Sequence, residues 1–238
     1  LPEDFHEWEY LANSRTPEAY NKIVKGNADI IFVAQPSGGQ KKRAEESGVT
    51  LIYTPFAREA FVFIVNADNP VNSLTEQQVR DIFSGAITNW RTVGGNDQEI
   101  QTWQRPEDSV SQTVMQSQVM KNVRMISPQE TEVASMMEGM IKVVAEYRNT
   151  NNAIGYTFRY YATQMNDDKN IKLLAINGIA PTAENIRNGK YPYIVDAFMV
   201  TRENTTSETQ KLLEWFLTPQ GQSLVEDVGY VPMYKTLP

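Results

Sequence analysis

The 238-residue sequence contains no cysteine, which excludes disulfide bonds, thiol chemistry and cysteine-based metal sites. It has a single histidine, His6, which stands among Glu7, Trp8 and Glu9 and does not indicate a catalytic or metal-binding role. No stretch approaches the roughly 18 consecutive apolar residues of a membrane-spanning helix. The sequence therefore predicts no such helix.

Basic residues are in the minority, with 22 Lys and Arg against 29 Asp and Glu and a net charge of −7. Nucleic-acid binding needs a concentrated basic face, so we expect no nucleic-acid partner. The run Lys41-Lys42-Arg43 is followed by Glu45 and Glu46 and is typical of a solvated helix face. A small anion is not excluded as a ligand, because a few local donors outweigh distant, screened charges.

The same absences argue against catalysis. A nucleophile needs a positioned base, and the sequence offers neither a cysteine nor a histidine near its serine-rich turn. The 29 acidic residues include no pair that stands out as the paired carboxylates of a hydrolase. We therefore predict that the protein is not an enzyme and has no catalytic residue, metal site or cofactor.

Short apolar strands alternate with helical segments, which predicts an α/β fold with parallel sheets covered on both faces. The residues Ala28–Ala34 follow Gly26-Asn27 and read as a buried strand. Thr16 is predicted to cap a helix that begins with Pro17. Further strands are predicted at 49–53, 60–66, 99–104, 153–156, 171–175 and 193–201, and further helices at 40–47, 74–83, 112–123, 131–148, 208–217 and 220–228. Ser73 is predicted to cap the helix at 74–83, which stops at Gly85.

The most informative stretch is Gln101–Thr113, in which a strand pattern ends at Arg105 and a polar turn with Ser109 and Ser111 leads into a helix start. A helix start presents backbone N–H groups without intrahelical partners, and hydroxyl and guanidinium groups can donate to the same anion. The pattern therefore suits an oxyanion. An ordinary βα turn with capping serines and a surface arginine would look the same, and this stretch alone does not separate the two interpretations.

Short sequence motifs elsewhere in the chain resemble, in order and spacing, those of the phosphate-binding proteins of phosphate ABC transporters, which belong to the type II periplasmic-binding-protein superfamily. The resemblance runs from about Thr16 to Tyr230. The motifs on which the resemblance rests are Pro70–Thr75, Gln78–Gly85, Ile87–Trp90, Val93–Gly95, Asn152–Tyr156, Asn177–Ile186 and Gly189–Pro192.

The resemblance implies a two-lobe fold, each lobe a mainly parallel sheet flanked by helices. The first lobe would comprise residues 1–98 and 191–238, and the second would be the inserted residues 99–190. It implies a monomeric, extracytoplasmic protein that captures a small oxyanion, most simply phosphate, and delivers it to a membrane ABC permease. Compared with the family, the first strand and helix are absent from this sequence, and a lipid anchor would belong to that absent N-terminus.

The resemblance places Arg105, Ser109 and Ser111 at the anion. The family's loop after the arginine carries two glycines, and here Asp108 and Val110 replace them. Glycine permits close backbone approach and positive φ, whereas valine is stiff and aspartate is negatively charged. The alternative is therefore a degenerate domain of the same fold that acts as a sensor or interaction module without binding phosphate.

Three further ligand-binding residues follow from the resemblance. Thr16 matches a family serine at a helix start. Gln35 and Ser37 follow the strand that ends at Ala34, where many family members place an acid that accepts a proton from hydrogen phosphate. Glutamine is uncharged and therefore does not repel a fully ionised anion. We therefore expect weaker discrimination against sulfate than in relatives that carry the acid.

Overall fold

A computed structural model describes residues 14, 16–34, 38–107, 109–128, 140–142, 144, 152–164 and 170–234. The chain divides into two compact units. The first unit comprises Leu1–Ala57, Asp196–Leu224 and Pro232–Pro238, and the second comprises Arg58–Val195 and Val225–Val231. Strands β2 (Leu51–Asn66) and β8 (Ile194–Arg202) each pass from one unit into the other.

In the first unit, β1 (Ile30–Ala34) pairs antiparallel with β8, with Ile30 opposite Thr201 and Ala34 opposite Ala197. Alternate residues of β1 are buried, because Ile31 and Val33 face a small core that also contains Ala19, Tyr20, Ile23 and Val200. The helices of this unit are α1 (Thr16–Lys25), α2 (Gly38–Glu46), α7 (Ser207–Leu217) and most of α8 (Pro219–Asp227). The short strand β9 (Val231–Pro232) lies where the chain returns to this unit.

The second unit is built on the apolar half of β2, whose residues from Ala60 to Val65 are fully buried. Strand β5 (Ala153–Phe158) runs antiparallel to β2 and parallel to β4 (Gln101–Thr102). Strand β6 (Ile171–Leu173) also pairs antiparallel with β2, and β3 (Ser73–Leu74) pairs parallel with β7 (Ala175–Ile176). The parallel β4–β5 pair matters for function because both strands end at the same edge.

The helices of the second unit pack around this sheet. They are α3 (Glu76–Ser84), a 3₁₀ turn (Trp90–Val93), α4 (Val110–Val114), a π-helix (Met115–Met120), α5 (Arg159–Thr163) and α6 (Ala183–Arg187). The main core includes Phe61, Phe63, Phe83, Trp90 and Tyr156, all at most 1% exposed.

The α/β class is confirmed, but the expectation of mainly parallel sheets is wrong. The pairings of β1 with β8 and of β2 with β5 and β6 are antiparallel, so the sheet is mixed. A continuous apolar run does not specify strand direction: β1 carries such a run, yet it is antiparallel to β8 and its Phe32 is 45% exposed. Likewise, the strands predicted at 49–53 and 60–66 form one strand, β2, which continues through Pro55.

Several helix boundaries differ from the predictions. Helix α1 begins at Thr16 itself, one residue before the predicted start. Thr75, not Ser73, caps α3: its hydroxyl accepts from Gln78 N–H while the Gln78 side chain accepts from Thr75 N–H. This reciprocal capping box follows the Thr-x-x-Gln spacing. Of the helix predicted at 131–148, residues 140–142 and 144 are helical, and the rest lies outside the described residues.

The predicted lobe division, 1–98 with 191–238 against 99–190, differs from the division into compact units, which passes through β2 between Ala57 and Arg58. A lobe is a body that moves as a whole on ligand binding, whereas a compact unit is defined by its internal contacts. The two partitions describe different properties, so the lobe boundaries stay a prediction.

Candidate anion-binding site

The parallel pairing of β4 and β5 positions Arg105. Gln101 lies opposite Ala153 and Thr102 opposite Ile154, and Trp103 N–H continues the ladder by donating to Ile154 O at 2.9 Å. Two residues further, Arg105 N–H donates to the Tyr156 hydroxyl oxygen at 3.1 Å. Arg105 is thereby fixed three residues beyond the carboxyl end of β4, and the carboxyl ends of parallel strands are where α/β proteins bind ligands.

Arg105, Ser109 and Ser111 form a hydrogen-bonded group, which we call the arginine–serine cluster. Arg105 is only 9% exposed, and its Nε–H donates to Ser111 Oγ at 3.3 Å. The hydroxyl oxygens of Ser109 and Ser111 lie 3.4 Å apart. The structure therefore brings together three of the six predicted ligand-binding residues. A hydrogen bond from a guanidinium this deeply buried is stronger than the same bond in water.

The two serines differ in what they contact. Ser109 is the N-cap of α4: its backbone is extended, and its hydroxyl oxygen accepts from Gln112 N–H at 3.2 Å. Capping uses the oxygen as an acceptor and leaves the hydroxyl proton available for donation. Ser111 lies inside α4, is 1% exposed and is held by Arg105. The capping interpretation therefore applies to Ser109 and not to Ser111.

Val110, which replaces a family glycine, is the first residue of α4. It is not among the described residues with positive φ, so its position does not demand glycine. Its side chain is 36% exposed. The loss of this glycine is therefore compatible with the local backbone. Asp108, which replaces the other glycine, lies outside the described residues.

Two residues of the site were missed by the sequence analysis. Gln112 Oε1 accepts from the Tyr156 hydroxyl and lies 3.4 Å from Arg105 N. Burial raises the pKa of Tyr156, and the Arg105 N–H and charge offset this only in part, so its hydroxyl stays protonated and can donate. Tyr156 belongs to one of the motifs on which the resemblance rests, but no signal in the sequence linked it to Gln112.

Thr16, Gln35 and Ser37 complete the six predicted ligand-binding residues. Thr16 is half-buried and begins α1 in the first unit, whereas the cluster lies in the second. Gln35 and Ser37 lie outside the described residues. The roles of Thr16, Gln35 and Ser37 therefore stay predictions.

Two searches of the described part of the chain were negative. It contains no group of three or more histidine, aspartate and glutamate side chains arranged to hold a metal ion. None of its helices has the length and apolar character needed to cross a membrane.

The chain is similar to proteins that are named phosphate-binding proteins. The family model of the PBP superfamily domain matches residues 9–220. The phosphate-binding protein PstS of Bacillus subtilis is 28% identical over 209 residues, which cover 87% of this chain and 64% of that protein. PstS of Borreliella burgdorferi is 26% identical over 218 residues, covering 89% of this chain and 74% of that protein. The chain thus spans about two thirds of the length of these relatives.

Solved structures show the same fold. A substrate-binding protein from Clostridium perfringens, solved with bound phosphate, superimposes with a TM-score of 0.71 at 24% identity, covering 90% of this chain and 83% of that one. An ABC-type phosphate transport receptor from Vibrio cholerae gives a TM-score of 0.69 at 23% identity, covering 94% and 85%. At this level of identity the likeness establishes the fold alone.

Proposed function

The chain belongs to the PBP superfamily domain family, and from that premise we propose that it is a solute-binding protein whose ligand is phosphate or a similar oxyanion. It binds without catalysis, as a monomer on the outer side of the cytoplasmic membrane, and delivers the anion to an ABC permease. An N-terminal lipid anchor would hold it at the membrane. The names of its relatives, PstS among them, support this function.

The observation that carries the proposal is the arginine–serine cluster. Arg105 is buried at the end of β4, Ser111 is buried beside it, and Ser109 begins the next helix. A guanidinium and hydroxyl donors that converge in a low-dielectric setting suit a tetrahedral oxyanion. Because Val110 adopts a helical conformation, the loss of its glycine does not argue for the degenerate alternative.

The test is isothermal titration calorimetry with phosphate and, in parallel, sulfate. If Arg105 holds the anion, Arg105→Gln weakens phosphate binding by about 1.5–3 kcal/mol, the usual loss of a hydrogen bond to a charged group. The matched control is Arg91→Gln, which removes the same charge from an exposed arginine paired with Asp97. Arg91→Gln is expected to leave the affinity unchanged.

Thermal unfolding of each variant separates loss of binding from loss of folding, because Arg105 is buried. No heat from either anion, in a folded and ligand-free wild-type sample, would favour the sensor or interaction module instead. Equal losses of affinity in both arginine variants would place the anion site away from Arg105. Strong rejection of sulfate would contradict the expectation attached to Gln35.

A further inference from the structure

A groove of about 600 Å³ adjoins Arg105 in the second unit. It is lined by the chain around Arg105, by Gln112 and Gln116, and by the segment that follows the π-helix. Ser109 and Ser111 are not among its described lining residues, so the groove lies next to the arginine–serine cluster and shares Arg105 with it. Its volume is in the range of sites for small organic molecules, about 300–1,000 Å³.

The segment that follows the π-helix contributes two cations to the groove. Lys121 and Arg124 line the groove and are exposed. Neither forms an ion pair with any other described side chain, although six ion pairs are present elsewhere in the described chain. Glu107 is the one acidic side chain among the described lining residues. With Arg105 included, the described lining residues carry three positive charges and one negative charge in a protein whose net charge is −7.

The backbone at Lys121 is strained. Lys121 ends the π-helix with φ 55° and ψ −111°, and Asn177 is the only other described non-glycine residue with positive φ. A lysine in this region costs on the order of 1–3 kcal/mol, and such residues concentrate at binding sites. π-Helical turns have the same tendency. The strained residue Lys121 and Arg124, three residues later, both line the groove.

We propose that this groove binds a second anionic group of a phosphorylated ligand, so that the protein recognises small molecules with a negatively charged group at each end. The phosphate group occupies the arginine–serine cluster, as in the proposed function on which this inference rests. A carboxylate or second phosphate at the other end of the ligand pairs with Lys121 and Arg124. Arg124 can bind either group through two parallel N–H donors, and Lys121 adds a point charge. The short linker lies against Val123 and Met125.

The experiment compares two phosphate esters of similar size. One probe, 3-phosphoglycerate, carries a carboxylate, and the other, glycerol 3-phosphate, carries a neutral hydroxyl end. Pyrophosphate tests a second phosphate in place of the carboxylate, and inorganic phosphate reports on the cluster alone. Dissociation constants are measured by calorimetry for the wild type and for the double variant Lys121→Gln/Arg124→Gln. Lys190→Gln, an exposed lysine outside the groove, is the charge control.

We expect the wild type to bind 3-phosphoglycerate about fivefold to tenfold more tightly than glycerol 3-phosphate, a difference that two exposed ion pairs together can supply. The preference exists despite the net charge of −7, which disfavours the more charged ester. The double variant loses the preference and keeps its affinity for inorganic phosphate. Lys190→Gln keeps both.

The outcomes separate this inference from the function on which it rests. Phosphate binding that depends on Arg105, with neither 3-phosphoglycerate nor pyrophosphate bound more tightly than glycerol 3-phosphate, would overturn the groove proposal and leave the function standing. A preference that survives in the double variant would also overturn it. If pyrophosphate alone shows the preference, the second group is a phosphate and not a carboxylate. Failure of every probe to bind a folded sample would overturn both proposals.

Discussion

Replacing Tyr156 by phenylalanine tests whether the hydrogen bonds to the Arg105 backbone N–H hold Arg105 in position for anion binding. The Tyr156 hydroxyl accepts from Arg105 N–H at 3.1 Å and donates to Gln112 Oε1. Without it, Arg105 N–H keeps only the longer contact of 3.4 Å to Gln112 Oε1, and that oxygen loses a donor. A buried polar group left poorly satisfied costs about 1–3 kcal/mol. Because the longer contact persists, we expect Tyr156→Phe to lower the free energy of unfolding by about 1–2 kcal/mol.

Tyr191→Phe is the matched control. Tyr191 is 1% exposed, and its hydroxyl donates to Phe61 O at 3.2 Å, away from the arginine–serine cluster. Removing this hydroxyl deletes one buried hydrogen bond in the same unit. We therefore expect a loss of about 1 kcal/mol in the free energy of unfolding. Each kcal/mol lowers the melting temperature of a chain of this size by about 2–4 °C.

The two variants are expected to differ in binding. Tyr156→Phe allows the Arg105 backbone to shift and should weaken phosphate binding about threefold to tenfold, since small displacements of a charged donor lose much of its bond. Tyr191→Phe should bind as the wild type does. Urea unfolding and calorimetric titration of the same preparations give both quantities. Unchanged stability in Tyr156→Phe, or equal losses of affinity in the two variants, would refute the positioning role.

Two further predictions concern stability. Burial raises the pKa of Glu59 from 4.5 to about 7, although the Ala60 and Tyr160 N–H groups and the charge of Arg159 oppose the shift. The folded state therefore holds a proton that the unfolded state releases, and this contribution is complete below about pH 4.5 and lost as the pH rises through about 7. Relative to Glu59→Gln, the wild type should lose up to about 3 kcal/mol in urea unfolding between pH 5 and pH 8, and parallel pH profiles would contradict this. Gly85→Ala should destabilise more than Gly48→Ala: both glycines have positive φ, but a Cβ at Gly85 would lie 2.6 Å from Ile126 Cγ2, whereas Gly48 has nothing within 4 Å. Equal melting temperatures for the two alanine variants would show that Ile126 moves aside at no cost.

Features that depend on neighbouring residues were predicted well from the sequence. The strand before Ala34, the α3 helix that ends at Gly85 and the succession of strand, Arg105, serine turn and helix all lie close to their predicted positions. Residues within a few positions of each other determine these features through backbone propensity, capping and the burial of an apolar face. The errors, such as the choice of Ser73 over Thr75 as a helix cap, are shifts of a few residues.

Strand direction was not predicted from the sequence, because an apolar run does not indicate which strand it pairs with or in which direction. The antiparallel direction of β5 against β2 depends on how the intervening chain closes, and a change of direction would leave the apolar pattern of either strand unaltered. The single long β2 is a similar case, since Pro55 interrupts the pattern without interrupting the strand.

In the candidate site, too, local features were predicted and contacts between distant residues were not. Arg105, Ser109 and Ser111 are near neighbours in the chain, so the sequence alone determined that a guanidinium and two hydroxyls stand together at a strand–helix junction. Only the tertiary structure decided that Tyr156, 51 residues away, holds the Arg105 backbone, and that Lys121 and Arg124 face the same groove as Arg105. The physical reason is that the sequence encodes local conformation directly, whereas contacts between distant residues exist only after the chain has closed and buried its core.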